Sequence, residues 1–161
     1  MRVVHLIKAK QIGGAERHLL MLLPALIERG VDAHLLVLVE ADYPVDDLFA
    51  EAEERGIPAE AIPLKGTMDI VIINRIRAKL VELKPDILHT HLIHADTFGL
   101  AAAKLAGVPF LITSRHAEDD FRKRSPIRVA NYVIWRGFDA GIAISEAVKN
   151  FLIDVEGAPS E

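Results

Sequence analysis

The hydrophobic and polar positions of the chain follow two alternating patterns. Short runs of β-branched and apolar residues are typical of strands buried on both faces, and longer stretches between them repeat apolar residues at helical spacing. The predicted strands are residues 2–7, 32–39, 57–63, 85–91, 108–114 and 138–144. The predicted helices are residues 15–28, 45–55, 69–83 and 95–105, a helix within 117–136, and one that begins after Ser145.

This alternation predicts an α/β fold: a doubly wound, mostly parallel sheet of about six strands, forming a Rossmann-like single domain over residues 1–161. The prolines in 57–63 place that strand near a sheet edge, because proline cannot donate to a ladder. Ser145 is expected to cap the last helix, with Glu146 in its first turn.

Composition narrows the classes of function. Hydrophobic residues make up 51% of the chain, enough for a core without cross-links, and the absence of cysteine excludes disulfides and thiol catalysis. A net charge of −4 argues against a nucleic-acid partner. No apolar run approaches the roughly 18 residues that cross a bilayer, and no signal peptide is recognisable, so we expect a cytoplasmic protein.

The turn after the first strand contains Gly13 and Gly14 and leads directly into a helix. Free backbone N–H groups and the helix dipole both favour an anion at such a position. Adjacent glycines would let a phosphate approach closely and would permit positive φ angles. The spacing is not that of a dinucleotide site, so a plain strand-to-helix turn remains the alternative.

The loops after three predicted strands should converge at the carboxyl edge of the sheet. They carry Gly13, Gly14, His89, His91, His94, Asp96, Arg115 and His116. His89 and His91 should point to the same side of their strand. A metal site formed by these histidines with Asp96 is one interpretation; the other, which the spacing favours, is a buried, hydrogen-bonded histidine among solvated ones. We therefore predict no metal.

His116 follows a buried strand and lies beside Arg115, ahead of an acidic run at residues 118–120. An imidazole there can donate to a substrate hydroxyl or a phosphate, and the guanidinium adds a planar fork for anions. The alternative is a loop histidine that caps a nearby carbonyl.

Residues 121–136 form a basic segment without an acidic residue. Its cations are Arg122, Lys123, Arg124, Arg128 and Arg136. Its predicted apolar stripe consists of Ile127, Ala130, Val133 and Ile134, with Tyr132 and Trp135 at the margins. Such a helix either binds an anionic membrane surface or an anionic acceptor, or packs its stripe on the sheet and leaves its charges in water.

Four segments occur in an order that resembles a known family: GGAE at 13–16, PDILHTH at 85–91, AAAKLAGVP at 101–109 leading to TSRH at 113–116, and AISEAV at 143–148. They resemble the amino-terminal half of family 4 glycosyltransferases of the GT-B fold. In that family an acceptor-side domain faces a carboxyl-terminal donor-binding domain, which is absent from this chain.

The resemblance implies a retaining, metal-independent enzyme that moves a sugar from a nucleotide-sugar to a glycan or lipid-linked acceptor. No cofactor is implied beyond the nucleotide-sugar substrate. By similarity, His116 is the catalytic histidine of the cleft, and Gly13 and Gly14 contact the donor phosphates. The expected acceptor-binding residues are His91, His94, Arg115, Arg122, Lys123 and Arg124. Without the donor-binding domain the chain should be inactive.

Further expectations concern partners and alternatives. The basic segment resembles the region that docks lipid-linked acceptors, which would place the protein peripherally at the inner face of the membrane. An exposed cleft face would favour a homodimer. The alternatives are a non-catalytic Rossmann-like module that binds a phosphorylated metabolite or a partner protein, and a nucleotide-sugar epimerase of the same two-domain fold.

Overall fold

The computed structural model describes residues 1–66, 69–116 and 125–160, and this part of the chain contains a six-stranded parallel sheet covered by helices. The strands are β1 (Arg2–Ala9), β2 (Asp32–Glu40), β3 (Ala59–Leu64), β4 (Ile87–His91), β5 (Phe110–Arg115) and β6 (Ala140–Ala143). The helices are α1 (Gly14–Glu28), α2 (Asp46–Glu54), α3 (Ile72–Leu83), α4 (Leu92–Ala106), α5 (Ser125–Trp135) and α6 (Glu146–Phe151), and α6 continues into a π-helical turn (Leu152–Glu156). The predicted fold class is confirmed.

The strand order is β3-β2-β1-β4-β5-β6. β1 therefore lies between β2 and β4, and the order reverses at the boundary between β1 and β4. The strand with prolines, β3, lies at an edge as predicted. In open α/β sheets, ligands bind outside the carboxyl ends of the strands at such a reversal. The fold thus points to the segments that directly follow β1 and β4.

Alternate residues of β1 pack against different helices. Val4 and Leu6 belong to a buried cluster with apolar residues of α3 and α4. Ile7 and Ala9 belong to a second cluster, with residues of α1 and α2. Helix α4 lies close to the sheet: a Cβ added at Gly99 would be 2.8 Å from Thr90 Cγ2. Only a residue without a side chain fits there without displacing its neighbours.

Strand β4 passes into α4 without a loop, although the pattern predicted that the helix begins at residue 95. The junction residue is Leu92, whose φ of +70° lies in the left-handed region. A branched side chain is strained in that region, so tertiary packing must hold this junction. The structure thereby connects the strand that ends at His91 directly to a packed helix.

Burial in α5 and β6 differs from the general hydrophobic pattern of the chain. The buried residues of α5 are Asn131 and Trp135, while Val133, which the apolar stripe would have buried, is 64% exposed. Strand β6 is an edge strand whose residues are exposed or half-buried, so it is not buried on both faces. The predicted cap of the last helix is confirmed, since the Ser145 hydroxyl accepts a hydrogen bond from the Val148 N–H.

No helix within the described residues combines the length and apolar character needed to span a bilayer.

Candidate functional site

Histidines from neighbouring strands meet on the face of the sheet that α1 covers. His5 of β1 is directly opposite His89 of β4, and their ring centroids are 4.9 Å apart. His91 lies two residues further along β4 and therefore points to the same side, with its ring centroid 4.3 Å from that of His89. The predicted common orientation of His89 and His91 is confirmed. All three side chains are buried.

Hydrogen bonds connect this group to the loop after β5. Nδ1 of His5 is 3.1 Å from Nε2 of His91, and Nδ1 of His91 is 3.2 Å from Nε2 of His116. A separate bond joins Nε2 of His89 to Oγ of Ser114, at 2.7 Å. His116 itself is half-buried and is the outermost member of the chain of imidazoles.

Burial keeps these imidazoles neutral. It lowers the pKa of His5 to about 3 and that of His89 to about 4, with neighbouring histidines adding to both effects. Burial also lowers the pKa of His91 well below its ordinary value, and that of His116 in the same direction. A neutral imidazole has one N–H and one lone pair, so each hydrogen bond in the chain has a direction.

One ring nitrogen from each of His5, His89 and His91 lies within 4.8 Å of the others, a grouping that could hold a metal ion. This group differs from the metal site considered in the sequence analysis, which combined His89, His91 and His94 with Asp96. His94 is exposed on α4, and Asp96 packs on the opposite face of the sheet. The sequence pattern missed His5, although its place in the strand next to the reversal of strand order could have indicated it.

His116 lies next to the beginning of α1. Its ring centroid is 5.5 Å from that of His18, in the second turn of that helix. Because the glycine turn immediately precedes α1, the structure brings His116 and this turn to the same edge of the sheet. The sequence pattern gave no role to His18.

The glycine turn uses no positive φ angle. Gly13 is extended, with a φ of −108°, and Gly14 has no positive φ either, so neither glycine uses the conformational freedom that the sequence permits. The Gly13 N–H donates to Oε2 of Glu16 at 2.9 Å and is therefore already satisfied. A Cβ on Gly14 would meet nothing within 4 Å. The open backbone at Gly14 is what remains available to an anion.

Arg115 lies in the interior and does not reach the edge of the sheet. Its Nη1 is 2.7 Å from Oδ2 of Asp96, its Nη2 is 3.7 Å from Oε2 of Glu156, and its side chain has no exposed surface. Thr90 and Thr113 both donate to the other oxygen of Asp96. The structure thus corrects the predicted acceptor contact of Arg115: this guanidinium compensates buried carboxylates.

His91 is likewise fully buried behind His116, so it has no surface for the direct acceptor contact predicted from the sequence. His94 is exposed near Lys8, Lys10 and Glu40, and its pKa is lowered by partial burial and by Lys8. Both lysines pair with the Glu40 carboxylate, at 2.6 and 2.9 Å, and hold its pKa at about 2.

Three of the predicted acceptor-binding residues, Arg122, Lys123 and Arg124, lie outside the described residues. The remaining cations of the basic segment, Arg128 on α5 and Arg136 directly after it, are exposed. The Arg128 Nε donates to the carbonyl of Val155, and the Arg136 guanidinium lies 3.3 Å from the ring centroid of Tyr132.

Comparison with protein families gives a match over nearly the whole chain. Residues 12–161 match the family model described as Glycosyltransferase Family 4. A comparison with curated proteins finds no match.

Solved structures share the fold at low sequence identity. Alr3699/HepE of Anabaena, solved in complex with UDP, is 17% identical with a TM-score of 0.76, and the match covers 99% of this chain and 42% of HepE. The apo form of the lipopolysaccharide outer core galactosyltransferase WaaB is 14% identical with a TM-score of 0.76, covering 99% of this chain and 43% of WaaB.

A structure with a different enzymatic description also matches. UDP-GlcNAc 2-epimerase of Neisseria meningitidis, bound to UDP-GlcNAc, is 14% identical with a TM-score of 0.67, and the match covers 99% of this chain and 44% of the epimerase. The chain thus spans less than half the length of each of these proteins, and the likeness to them is one of fold.

Proposed function

Since the chain belongs to glycosyltransferase family 4, we propose that it is the acceptor-side domain of a retaining, metal-independent enzyme that transfers a sugar from a nucleotide-sugar to a glycan or lipid-linked acceptor. The observation that carries this proposal is the family match over residues 12–161. The presence of UDP in the HepE complex supports a nucleotide-sugar as the donor. The match covers 42% of the length of HepE, so an enzyme of that length can contain a second domain.

The edge of the sheet at the reversal of strand order would face the donor. The first-turn amides of α1 next to Gly14 offer unshielded donors, and a helix amino terminus attracts the negative charge that develops on a departing diphosphate. His116 at the same edge would donate a hydrogen bond to the donor sugar and hold it for attack. His94, exposed near the carboxyl ends of β1 and β2, remains the candidate for acceptor contact among the histidines.

An acceptor embedded in a membrane is favoured by the surface of α5. This helix exposes Val129, Tyr132 and Val133, which are 64%, 48% and 64% accessible, beside Arg128 and Arg136. Apolar side chains next to cations suit the interface of an anionic membrane. We therefore propose peripheral association with the inner membrane face.

A reconstitution assay tests the transfer activity. The 161-residue chain would be incubated with UDP-sugars and polyprenyl phosphate-linked acceptors, alone and with a family 4 donor-binding domain supplied as a separate protein. We expect negligible turnover alone and measurable transfer with the second domain. His116→Ala should lower transfer by roughly 100-fold, as removal of a transition-state donor does. His34→Ala, on β2 away from this edge, is the matched control.

Five outcomes would contradict separate parts of this proposal. Full turnover by the chain alone would overturn the division of labour between two domains. Loss of activity in excess EDTA, or inversion of the anomeric carbon in the product, would overturn metal independence or retention. Conversion of the UDP-sugar without an acceptor would favour the epimerase reaction, and binding without any turnover would favour a non-catalytic module.

A further inference from the structure

We propose that His91 positions His116 by determining which ring nitrogen of His116 carries the proton. In this interpretation His5, His91 and His116 form a directed chain of three imidazoles that presents His116 as a hydrogen-bond donor. The consequence for sugar transfer rests on the proposed function. The positions of the protons depend only on the hydrogen bonds among these three imidazoles.

The ring geometry supports hydrogen bonding within the chain. The centroids of His5 and His91 are 5.3 Å apart and their nitrogens 3.1 Å apart. For His91 and His116 the corresponding distances are 5.5 and 3.2 Å. In both pairs the difference is about the width of one imidazole ring, so the two nitrogens lie near the line that joins the ring centres. An N–H on one ring then points directly at the lone pair of the other.

The inner end of the chain sets the direction of these bonds. The second ring nitrogen of His5, Nε2, is buried and has no hydrogen-bond partner among the described residues. Burying a donor without a partner is rarer in proteins than leaving an acceptor under-satisfied, so we place the lone pair at this nitrogen and the proton on Nδ1. His5 Nδ1–H then donates to His91 Nε2, and His91 Nδ1–H donates to His116 Nε2.

This arrangement leaves the proton of neutral His116 on Nδ1. Protonation of His116 at Nε2 would place two N–H groups face to face unless the whole chain reversed, so the chain also favours a neutral ring. The lowered pKa of His116, which burial causes, agrees with this. His116 is therefore presented to a substrate oxygen as a donor through Nδ1, and a role as a general base through that atom is disfavoured.

A metal site is the strongest competing use of the same side chains, because His5, His89 and His91 could each offer a nitrogen. A metal ligand must present a lone pair to the ion. Within the chain of imidazoles both ring nitrogens of His91 are engaged, one carrying a hydrogen and the other accepting one, so His91 has no lone pair left for a metal. The two interpretations are therefore mutually exclusive and can be separated by experiment.

The test uses the 161-residue chain labelled with ¹⁵N at histidine. Long-range ¹H–¹⁵N spectra at about pH 7.5 report which nitrogen of each ring is protonated. We expect His5, His91 and His116 to show the Nδ1–H form. In His91→Phe, His116 should change from predominantly Nδ1–H to predominantly Nε2–H, and its pKa should rise. In His91→Gln, whose amide can donate, the Nδ1–H form should be restored.

A second variant tests the same proposal if His91→Phe does not fold. His5→Phe removes the inner donor and should leave both His91 and His116 in mixtures of the two forms. His34→Gln, near the amino-terminal end of β2, is the control and should leave the His116 spectrum unchanged.

Several results would overturn the proposal. They are an Nε2–H form of His116 in the wild type, an unchanged His116 in both His91→Phe and His5→Phe, or one equivalent of Zn²⁺ shifting His5, His89 and His91 together. None of these measurements requires sugar transfer, so a failure here is distinct from a failure of the proposed function. If transfer is confirmed, His91→Phe should lower kcat by roughly tenfold with KM for the donor nearly unchanged, and His91→Gln should recover most of the loss.

Discussion

Nη1 of Arg115 lies 2.7 Å from Oδ2 of Asp96, and neither side chain has any exposed surface. The pair connects the end of β5 to α4 beneath the candidate site. Around it, Trp135 Nε1 donates to Oε2 of Glu156 at 2.9 Å, and the Arg115 guanidinium lies 5.4 Å from the Trp135 ring centroid. The network links β5 and α4 to the π-helical turn at Leu152–Glu156.

We expect Arg115→Met to lower the free energy of unfolding by about 3–5 kcal/mol, because it leaves the Asp96 carboxylate buried without its cation. Urea unfolding measures this change. Arg77→Met, at an exposed arginine of α3, should change stability by less than about 0.5 kcal/mol. Equal effects of the two substitutions would show that the buried pair adds nothing to stability.

Stability should fall as the pH is lowered from about 7.5 to about 5. The folded pKa values of His5 and His89, about 3 and 4, lie below the ordinary 6.5, so below pH 6.5 the unfolded chain binds protons that the folded chain does not. Each of these histidines then lowers the free energy of unfolding by at most about 1.4 kcal/mol per pH unit. Urea unfolding at several pH values measures the slope. In His5→Phe the slope should decrease by one proton; an unchanged slope would contradict the burial of a neutral His5.

Glu16 should stabilise the beginning of α1 through its bond from the Gly13 N–H. We expect Glu16→Ala to cost about 1 kcal/mol, as loss of a helix cap does. Glu16→Gln should cost much less, because a glutamine oxygen can accept the same hydrogen bond. Thermal unfolding compares the two variants. If Glu16→Gln is as damaging as Glu16→Ala, the charge next to the helix dipole is responsible instead.

Binding to anionic liposomes should depend on the exposed apolar residues of α5. Val129→Asp and Val133→Asp should each reduce co-sedimentation with phosphatidylglycerol vesicles by roughly tenfold, because a carboxylate at the interface loses apolar burial and repels the lipid charge. Val81→Asp, at a valine of α3 that is 49% exposed, is the matched control. Raising the salt to about 0.5 M should weaken wild-type binding. Salt-insensitive binding, or none, would contradict the membrane proposal.

The local pattern was sufficient to predict the fold. The prediction of β2 came from one apolar run, because strands buried on both faces of a parallel sheet consist of such runs. The edge position of β3 came from its prolines alone. The cap at Ser145 is equally local. These features depend on residues within a few positions of one another.

The site was predicted less well because it depends on pairing between distant segments. His5 and His89 meet only because β1 pairs with β4 in one particular register. The burial of Arg115 depends on Asp96 and Glu156, neither of which is adjacent to it in the sequence. The exposure of Val133 shows the same limit, since helical periodicity cannot tell whether a neighbour covers a given face.

The central position of β1 has a consequence for synthesis on the ribosome. Strand β1 can pair with β2 once residue 40 has been synthesised, but its other neighbour, β4, ends only at residue 91. During that interval the nascent chain carries an unpaired strand edge with Val4 and Leu6 uncovered, a state prone to association with other chains. Productive folding should therefore be sensitive to pauses in translation before β4 emerges and to chaperones that cover the growing sheet.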